Sequence, residues 1–191
     1  MLYLHYSDSV KQVCGDSVLS NYLVDEKLRE YASNLDSVSF FIIDENECFI
    51  TSVKGIPLCT SCGIAANRVM QTAYRLAFIE NFIIQGSCWD FVNAVFTGIT
   101  SDSIQKKDIY SEKKAGPYTT VDELQPGDWV YHVNYEYNRI EHSAIFIGWA
   151  DYEKGLAIVL DYVGLNRRQP AKFGEHNLNS VYAIFRMEKV D

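Results

Sequence analysis

The sequence lacks several features that define large classes of protein. It has no apolar run long enough to cross a bilayer, and residues 1–20 lack the apolar core of a secretory signal peptide. Positive charge is also scarce, with 17 Lys and Arg against 25 Asp and Glu and a net charge of −8. Nucleic acid and anionic membrane surfaces attract clustered positive charge, so we expect neither as a partner. We expect synthesis in the cytoplasm without a signal peptide.

Cysteine is present in an odd number. The five residues are Cys14, Cys48, Cys59, Cys62 and Cys88, and an odd count in a chain of this size does not indicate a disulfide framework. Cys59 and Cys62 form a lone C-x-x-C with no second pair or histidine at the spacing of a zinc site. We therefore predict no metal there, and we interpret the segment as a loop that leads into a helix.

The first half of the chain contains helical patterns around one hairpin. A helix is predicted from about residue 16 to 34, and the β-rich runs 38–43 and 48–53 predict a hairpin that Pro57 ends. A second helix is predicted from residue 61 or 62 to about 80, and a third from Cys88 to about 96. The polar segment 97–117 is predicted to be a surface loop, and a loop of that length is usually functional.

The second half alternates in the manner of β-strands. Strands are predicted at 129–133, 142–149, 156–163 and 181–187. Helices followed by strands predict an α+β fold. We divide the chain into residues 1–60, a helix and hairpin extension of unknown role, and residues 61–191, the main domain.

Cys88 stands at the start of a predicted helix. Gly86 and Ser87 precede it, Ser87 is a favourable N-cap, and the apolar face that follows comprises Trp89, Val92, Val95 and Phe96. The free N–H groups and positive dipole of a first helical turn favour a thiolate, the nucleophilic form of cysteine. The alternative interpretation is a buried apolar cysteine, which is the commoner fate of this residue.

A cysteine nucleophile requires a base, and the base requires an orienting partner. Among the four histidines, His142 is best placed, since it follows a polar segment and opens an apolar strand. Asp161 is an acidic residue inside the next apolar strand, where an unpaired carboxylate would be costly. Direct pairing of His142 with Asp161 would centre the hairpin near residues 151–152, close to the polar turn at 151–155. We therefore predict that the two side chains pair across adjacent strands, within the offset that a bulge allows. Taken singly, each residue could equally be structural, as a satisfied core histidine or a strand-end charge.

Three motifs resemble the NlpC/P60 and CHAP group of papain-like cysteine peptidases and amidases. They are Gly86-Ser87-Cys88-Trp89-Asp90-Phe91, Leu124-Gln125-Pro126-Gly127-Asp128-Trp129 and His142-Ser143-Ala144-Ile145-Phe146-Ile147-Gly148. These families place a cysteine at a helix start, then a Leu-x-Pro-Gly-Asp strand, then a histidine that opens a strand ending in glycine. The resemblance covers about residues 61–187 and implies a papain-like fold, with N-terminal helices packed on a C-terminal antiparallel sheet.

The chain departs from the family pattern at two points. NlpC/P60 members usually carry Asp-Cys-Ser-Gly around the nucleophile, whereas Ser87-Cys88-Trp89-Asp90 is closer to the CHAP pattern. The third catalytic position in these families is commonly His, Asn, Gln or Glu, so Asp161 is a chemical variant. The N-terminal sixty residues match no part of the pattern, and they leave the choice of substrate open.

The resemblance implies a thiol hydrolase in which Cys88 attacks a carbonyl carbon, His142 is the base and Asp161 orients it. The Cys88 backbone N–H and, as a second donor, Tyr74 are candidates for the oxyanion hole. Ser87 and Trp89, which flank the nucleophile, are candidate substrate-binding residues. The implied substrate is an amide of bacterial peptidoglycan, cut by an endopeptidase or an N-acetylmuramoyl-L-alanine amidase, with no metal and no cofactor.

The same resemblance bears on how the enzyme would reach the cell wall and on which other functions the chain could have. A wall hydrolase without a signal peptide would be an effector exported by a specialised secretion system, or a lysin, and an immunity or inhibitor protein would be its partner. A cytosolic or host-directed thiol enzyme of the same fold, such as a deamidase or acyl transferase, is one alternative. A catalytically inactive binding module that keeps the groove is another.

Overall fold

The computed structural model describes residues 38–41, 50–53, 56–59, 62–135, 138–164 and 168–190. The chain divides into two compact units, residues 1–62 and 63–191. The helix predicted before residue 38 lies outside the described residues. Within the described ranges, no helix has the length and apolar character needed to span a membrane.

The first unit contains a three-stranded antiparallel sheet. Its strands are β1 (Val38–Phe41), β2 (Ile50–Val53) and β3 (Ile56–Cys59), in that spatial order. β1 and β2 pair as the predicted hairpin. The prediction that Pro57 ends this hairpin is wrong, because Pro57 lies within β3, opposite Ser52. Proline lacks a backbone N–H, and an edge strand such as β3 tolerates that loss.

Cys62, the second cysteine of the C-x-x-C segment, is disulfide-bonded. An odd number of cysteines does not indicate a disulfide framework, but it is compatible with paired cysteines and one remaining free thiol. Cys88 is free. The C-x-x-C segment therefore includes a covalently bonded cysteine, and Cys88 keeps its thiol.

The second unit consists of two helices followed by a six-stranded antiparallel sheet. Helix α1 (Ile64–Tyr74) continues into a π-helical turn at Arg75–Ile79, and helix α2 is Cys88–Ile99. The strands are β4 (Ile104–Ser111), β5 (Trp129–Asn134), β6 (Ile140–Asp151), β7 (Leu156–Asp161), β8 (Lys172–Asn177) and β9 (Val181–Lys189), in the order β4-β9-β5-β6-β7-β8. α1 packs on α2 and β9, and α2 packs on β6. The predicted α+β class is confirmed.

The two edge strands of this sheet were not predicted. The segment 97–117 is not a long loop, because α2 extends to Ile99 and β4 pairs with β9. Most side chains of β4 are exposed, so β4 lacks the alternation of apolar residues that identifies a half-buried strand. β8, at the other edge, is similarly polar. An edge strand is held by pairing with its neighbour, which sequence periodicity does not report.

The inner strands carry the core of the second unit. One buried cluster is formed by apolar residues that include Val130, Phe146, Val159, Val181 and Ile184, from four of the strands. These side chains are almost fully excluded from solvent. Burial of this kind stabilises a fold by about 25 cal/mol per Å² of apolar surface. The sheet is thus a firm support for the residues at its ends.

A buried ion pair fixes the turn before β5. Asp128 is fully buried, and its carboxylate accepts hydrogen bonds from Arg186 Nε at 2.7 Å and Nη2 at 2.8 Å. The carboxylate also accepts from the backbone N–H of Gln125 at 2.8 Å, and Arg186 Nη2 donates to the carbonyl of Glu123 at 2.8 Å. The aspartate of the Leu-x-Pro-Gly-Asp motif is therefore a structural residue that joins the turn to β9.

Arg186→Met should destabilise the protein by about 3–5 kcal/mol, because it leaves the Asp128 charge buried without its partner. Lys107 provides the matched control, since it lies opposite Arg186 on β4 and pairs with Glu188 at the surface at 2.6 Å. Lys107→Met should cost about 1 kcal/mol or less. Urea unfolding measures both changes, and equal losses in the two variants would contradict the structural role of Asp128.

Candidate active site

A capping box places Cys88 in the first turn of α2. Ser87 is the N-cap, as predicted, and the Asp90 carboxylate accepts hydrogen bonds from the Ser87 backbone N–H at 2.7 Å and hydroxyl at 2.9 Å. A Cβ atom on Gly86 would lie 2.3 Å from Asp90 Oδ2, so only glycine leaves room for this carboxylate. The start of α2 at Cys88 is therefore determined by three local residues, Gly86, Ser87 and Asp90.

Aromatic contacts hold this end of α2 against the sheet. Phe91 is buried and stacks on Tyr162 at 5.5 Å between ring centroids, and Phe96 meets Trp129 edge-on at 5.2 Å. Trp89 also packs on Trp129, at 5.7 Å, yet keeps 44% of its surface exposed. Cys88 thus lies beside an exposed indole, at the junction of helix and sheet.

His142 and Asp161 face each other on neighbouring strands. His142 Nε2 lies 2.5 Å from Asp161 Oδ1. The two residues are offset by two positions from direct opposition, because Asp161 pairs with Ala144 and reaches His142 along the diagonal, and the prediction allowed such an offset. The turn after β6 is centred later than expected, and two register shifts along β6 compensate in part. Without those shifts, the register at Asp151 and Leu156 would carry Asp161 further from His142.

The environment of Cys88 favours the thiolate. Burial raises the pKa of the thiol, but a hydrogen bond with His142, the positive charge of His142 and a hydrogen bond from the Ser143 backbone N–H lower it below its ordinary value. Asp161 occupies Nε2 of His142, so Nδ1 is the ring nitrogen left to face the sulfur. The three side chains therefore form one series, from thiol to imidazole to carboxylate.

His142 and Asp161 stabilise each other's charged form. Burial alone would lower the pKa of His142, but the hydrogen bonds with Asp161 and Cys88 and their negative charges raise it to about 10. Burial would likewise raise the pKa of Asp161, but hydrogen bonds from His142 and His176 hold it well below its usual range. Near neutral pH, the arrangement favours a thiolate, an imidazolium and a carboxylate.

Two tyrosines near Cys88 were not predicted as site residues. Burial first, and then the negative charge of Cys88, raise the pKa of Tyr131 to about 12. Burial and the neighbouring Glu141 raise the pKa of Tyr182, with a further contribution from Cys88. Tyr131 also lies directly opposite Ser143 on the neighbouring strand. The Tyr131 hydroxyl thus stays protonated at neutral pH, whereas the Tyr182 hydroxyl donates its proton to Glu141 Oε1 at 3.4 Å.

The described contacts of Tyr74, the predicted second oxyanion donor, are with aromatic side chains. It ends α1, and its ring packs on Phe78 at 4.7 Å between centroids. Phe78 in turn stacks on Phe173 of β8. These contacts tie Tyr74 to the π-helical turn and, through Phe78, to β8. Tyr131 is a second candidate for the role that the sequence assigned to Tyr74.

Two further histidines complete a cluster around Asp161. His176 Nε2 lies 3.5 Å from Asp161 Oδ2, and His176 Nδ1 lies 3.1 Å from His132 Nε2. Ring centroids of His132, His142 and His176 are 5.3–5.5 Å apart. Burial, together with the neighbouring histidines, lowers the pKa of His132 to about 3, so this imidazole is neutral. Sequence reasoning missed His176 because the polar strand β8 gave no signal.

A cavity opens next to these two histidines. Its volume is about 500 Å³, and it is lined by His132, Val133, Asn134, Tyr135, Glu175, His176 and Asn177. His132 and His176 thus connect Asp161 to an open space at the end of β5 and β8. This cavity gives solvent or a small ligand access to the side of the cluster that His176 occupies.

The structure brings together three of the sequence-predicted residues, Cys88, His142 and Asp161, with Ser87 and Trp89 directly beside the nucleophile. Such a series can activate a sulfur nucleophile and return a proton to a leaving group. Comparisons with known proteins add nothing to this geometry, since no family model, curated protein or solved structure matches the chain.

Proposed function

We propose that this chain is a cysteine hydrolase of papain-like fold that cleaves an amide bond of bacterial peptidoglycan. The observation that carries the proposal is the series Cys88, His142 and Asp161, with its depressed thiol pKa and raised imidazole pKa. Support for the wall substrate comes from the motif resemblance to NlpC/P60 and CHAP enzymes. The exposed Trp89 indole next to Cys88 is a suitable surface for a sugar or peptide.

The reaction begins at the sulfur of Cys88. The thiolate attacks the carbonyl carbon of the amide and forms a C–S bond, while the carbonyl electrons move to oxygen. His142 Nδ1 then donates its proton to the amide nitrogen, the C–N bond breaks and the amine leaves. Water, deprotonated by the now neutral His142, hydrolyses the thioester and regenerates Cys88. Asp161 holds His142 Nε2 through both steps, so the imidazole keeps its tautomer and orientation.

In this proposal the oxyanion accepts hydrogen bonds from two donors. The backbone N–H of Cys88 lies in the first helical turn, where no earlier carbonyl of the helix is available to it. The second donor in this proposal is the Tyr131 hydroxyl. Trp89 donates its indole N–H to the Tyr131 oxygen, because an indole nitrogen can only donate, and the Tyr131 proton stays free for the substrate.

Purified peptidoglycan should be solubilised by the wild-type protein and left intact by Cys88→Ala, because the alanine variant has no nucleophile. Mass spectrometry of the released fragments distinguishes an endopeptidase, which cuts between stem-peptide residues, from an amidase, which frees the whole stem. Ser101→Ala, at a surface position beyond α2, is the control and should retain full activity. Equal release by Cys88→Ala would refute the nucleophile. No release by either protein, with Cys88 still reactive to iodoacetamide at pH 6–7, would redirect the search to protein substrates.

Asp161→Asn should lower kcat by about one to three decades, less than the roughly four decades of a serine enzyme, since the thiolate–imidazolium pair is partly formed at rest. The pH profile gives an independent readout. Wild-type kcat/KM should fall on the alkaline side as His142 loses its proton near pH 10. Without the Asp161 charge that raises this pKa, the alkaline limb should move to lower pH. A folded Asp161→Leu variant with full activity and an unmoved limb would remove Asp161 from the site.

Tyr131→Phe should lower kcat by about 100-fold or more, the loss typical of one oxyanion donor. KM should change little, because the hydrogen bond forms fully in the transition state. Tyr152→Phe is the matched control, as the Tyr152 hydroxyl bonds Asp122 at the surface. Tyr74→Phe is the rival, and a larger loss in Tyr74→Phe than in Tyr131→Phe would restore the sequence assignment. Single-turnover kinetics on soluble wall fragments measures all three.

A further inference from the structure

We propose that His142, Asp161 and His176 form a binding site for one divalent transition-metal ion of the Zn²⁺ class. The ligand atoms are His142 Nε2, an Asp161 carboxylate oxygen and His176 Nε2, which all lie within 4.8 Å of one another. They come from three adjacent strands, β6, β7 and β8, and their side chains are 10%, 8% and 13% exposed. Two imidazoles and a carboxylate, with a position left for water, match the three-ligand sets that bind zinc.

The separations suit one ion with a small adjustment. Zinc binds nitrogen and oxygen at about 2.0–2.2 Å, so two ligands of one ion lie up to about 4 Å apart. The 3.5 Å between His176 Nε2 and Asp161 Oδ2 is within this range. The 2.5 Å between His142 Nε2 and Asp161 Oδ1 is a hydrogen-bond distance and must widen by about 1 Å. On binding, the His142 Nε2–H bond breaks, the Nε2–metal bond forms and the proton passes to solvent.

The outer partners that a zinc histidine normally has are already in place. A metal-ligating histidine almost always donates its other ring N–H to an acceptor, which fixes the ring orientation. His176 Nδ1 lies 3.1 Å from Nε2 of the buried His132, which can accept that proton. His142 has Cys88 as the partner of its remaining nitrogen. Both imidazoles are thus oriented with Nε2 towards the same carboxylate.

Gly174 provides the space for the His176 ring. His176 lies two residues along β8 from Gly174, and a Cβ atom on Gly174 would lie 3.4 Å from His176 Nε2 and 3.5 Å from Cδ2. The imidazole therefore leans along the strand over Gly174, in the direction of Asp161. A branched side chain at residue 174 would occupy this space and displace His176 without changing a ligand.

The consequence for catalysis rests on the proposed function. An ion at this site takes both His142 Nε2 and the carboxylate that holds it. With Nε2 bound to the metal, donation of the Nδ1 proton to the leaving amine would leave an imidazolate, which forms far less readily than the neutral imidazole of the metal-free site. Bound metal therefore switches the hydrolase off, and its removal restores the thiolate–imidazolium pair.

Cobalt(II) binding to Cys88→Ala tests the site without reference to activity. Visible absorption of Co²⁺ should saturate at one ion per chain, and nitrogen and oxygen ligands alone should account for the spectrum. His176→Gln in the same background should weaken binding by about 100-fold or more, beyond the 10- to 100-fold loss typical of an outer partner. Gly174→Val should also weaken it, while Glu175→Gln, an exposed neighbour, should leave it unchanged. Circular dichroism confirms folding. Absence of saturable Co²⁺ binding in folded Cys88→Ala would overturn the proposal. So would an affinity for Co²⁺ in the folded His176→Gln and Gly174→Val variants equal to that of Cys88→Ala.

Zinc inhibition of the wild-type protein tests the consequence. One equivalent of Zn²⁺ should stop peptidoglycan hydrolysis, and a chelator should restore it. His176→Gln should need about 100-fold more Zn²⁺ for the same loss, in parallel with its weaker Co²⁺ binding. A rate that rises with Zn²⁺ would overturn the inhibitory role. If hydrolysis is never observed, the proposed function fails, and the Co²⁺ titration still decides whether the metal site exists.

Discussion

The carboxylate of Asp161 is the interaction on which the site depends. A buried charge is costly unless it is paired, and Asp161 is almost fully buried at the end of β7. His142 on one side and His176 on the other satisfy its two oxygens. This pairing keeps His142 charged inside the protein, and the charge of His142 in turn lowers the pKa of Cys88. Removal of the carboxylate would therefore lower the pKa of His142 and weaken the effect of His142 on the pKa of Cys88.

The sheet and the helix supply the two halves of this arrangement. Strands β6, β7 and β8 carry His142, Asp161 and His176 on paired backbones, so their spacing is fixed by hydrogen bonds of the sheet. α2 carries Cys88, and the packing of Phe91 on Tyr162 and of Phe96 on Trp129 holds this helix against the sheet. The nucleophile and its base thus belong to different layers of one core, and the geometry of the site depends on packing between them.

Much of the fold could be predicted because the inner elements bury one face. The apolar residues of α2 and of β5, β6, β7 and β9 follow the periods of helix and strand, and the α+β class follows from their order. The edge strands β4 and β8 escaped prediction because half or more of their residues are exposed and neither strand shows an alternating apolar face. The role of Pro57 within β3 escaped for a related reason, since an edge strand needs fewer of its backbone N–H groups.

The site was predictable where chemistry is local and unpredictable where it depends on register. The helix start at Cys88 follows from Ser87 and Asp90, three residues apart. The diagonal reach from Asp161 to His142 depends on two register shifts along β6 that the sequence pattern does not indicate. His176 and His132 join the cluster through β8 and β5, and their contacts with Asp161 and each other could not be inferred without the pairing of β8. Tyr131 was missed because it reads as an ordinary strand residue.

The cap of α2 has an evolutionary consequence. Glycine at residue 86 is required only while residue 90 carries a carboxylate that folds back over it, since the clash of a Cβ atom is with Asp90 itself. The two positions are therefore not independent in sequence drift. Among descendants of this chain, a side chain at residue 86 should be accepted after residue 90 has shortened or turned away, and Ser87 would then lose both hydrogen bonds to Asp90. The local sequence before the nucleophile would diverge as a unit, while Cys88 itself stayed in place.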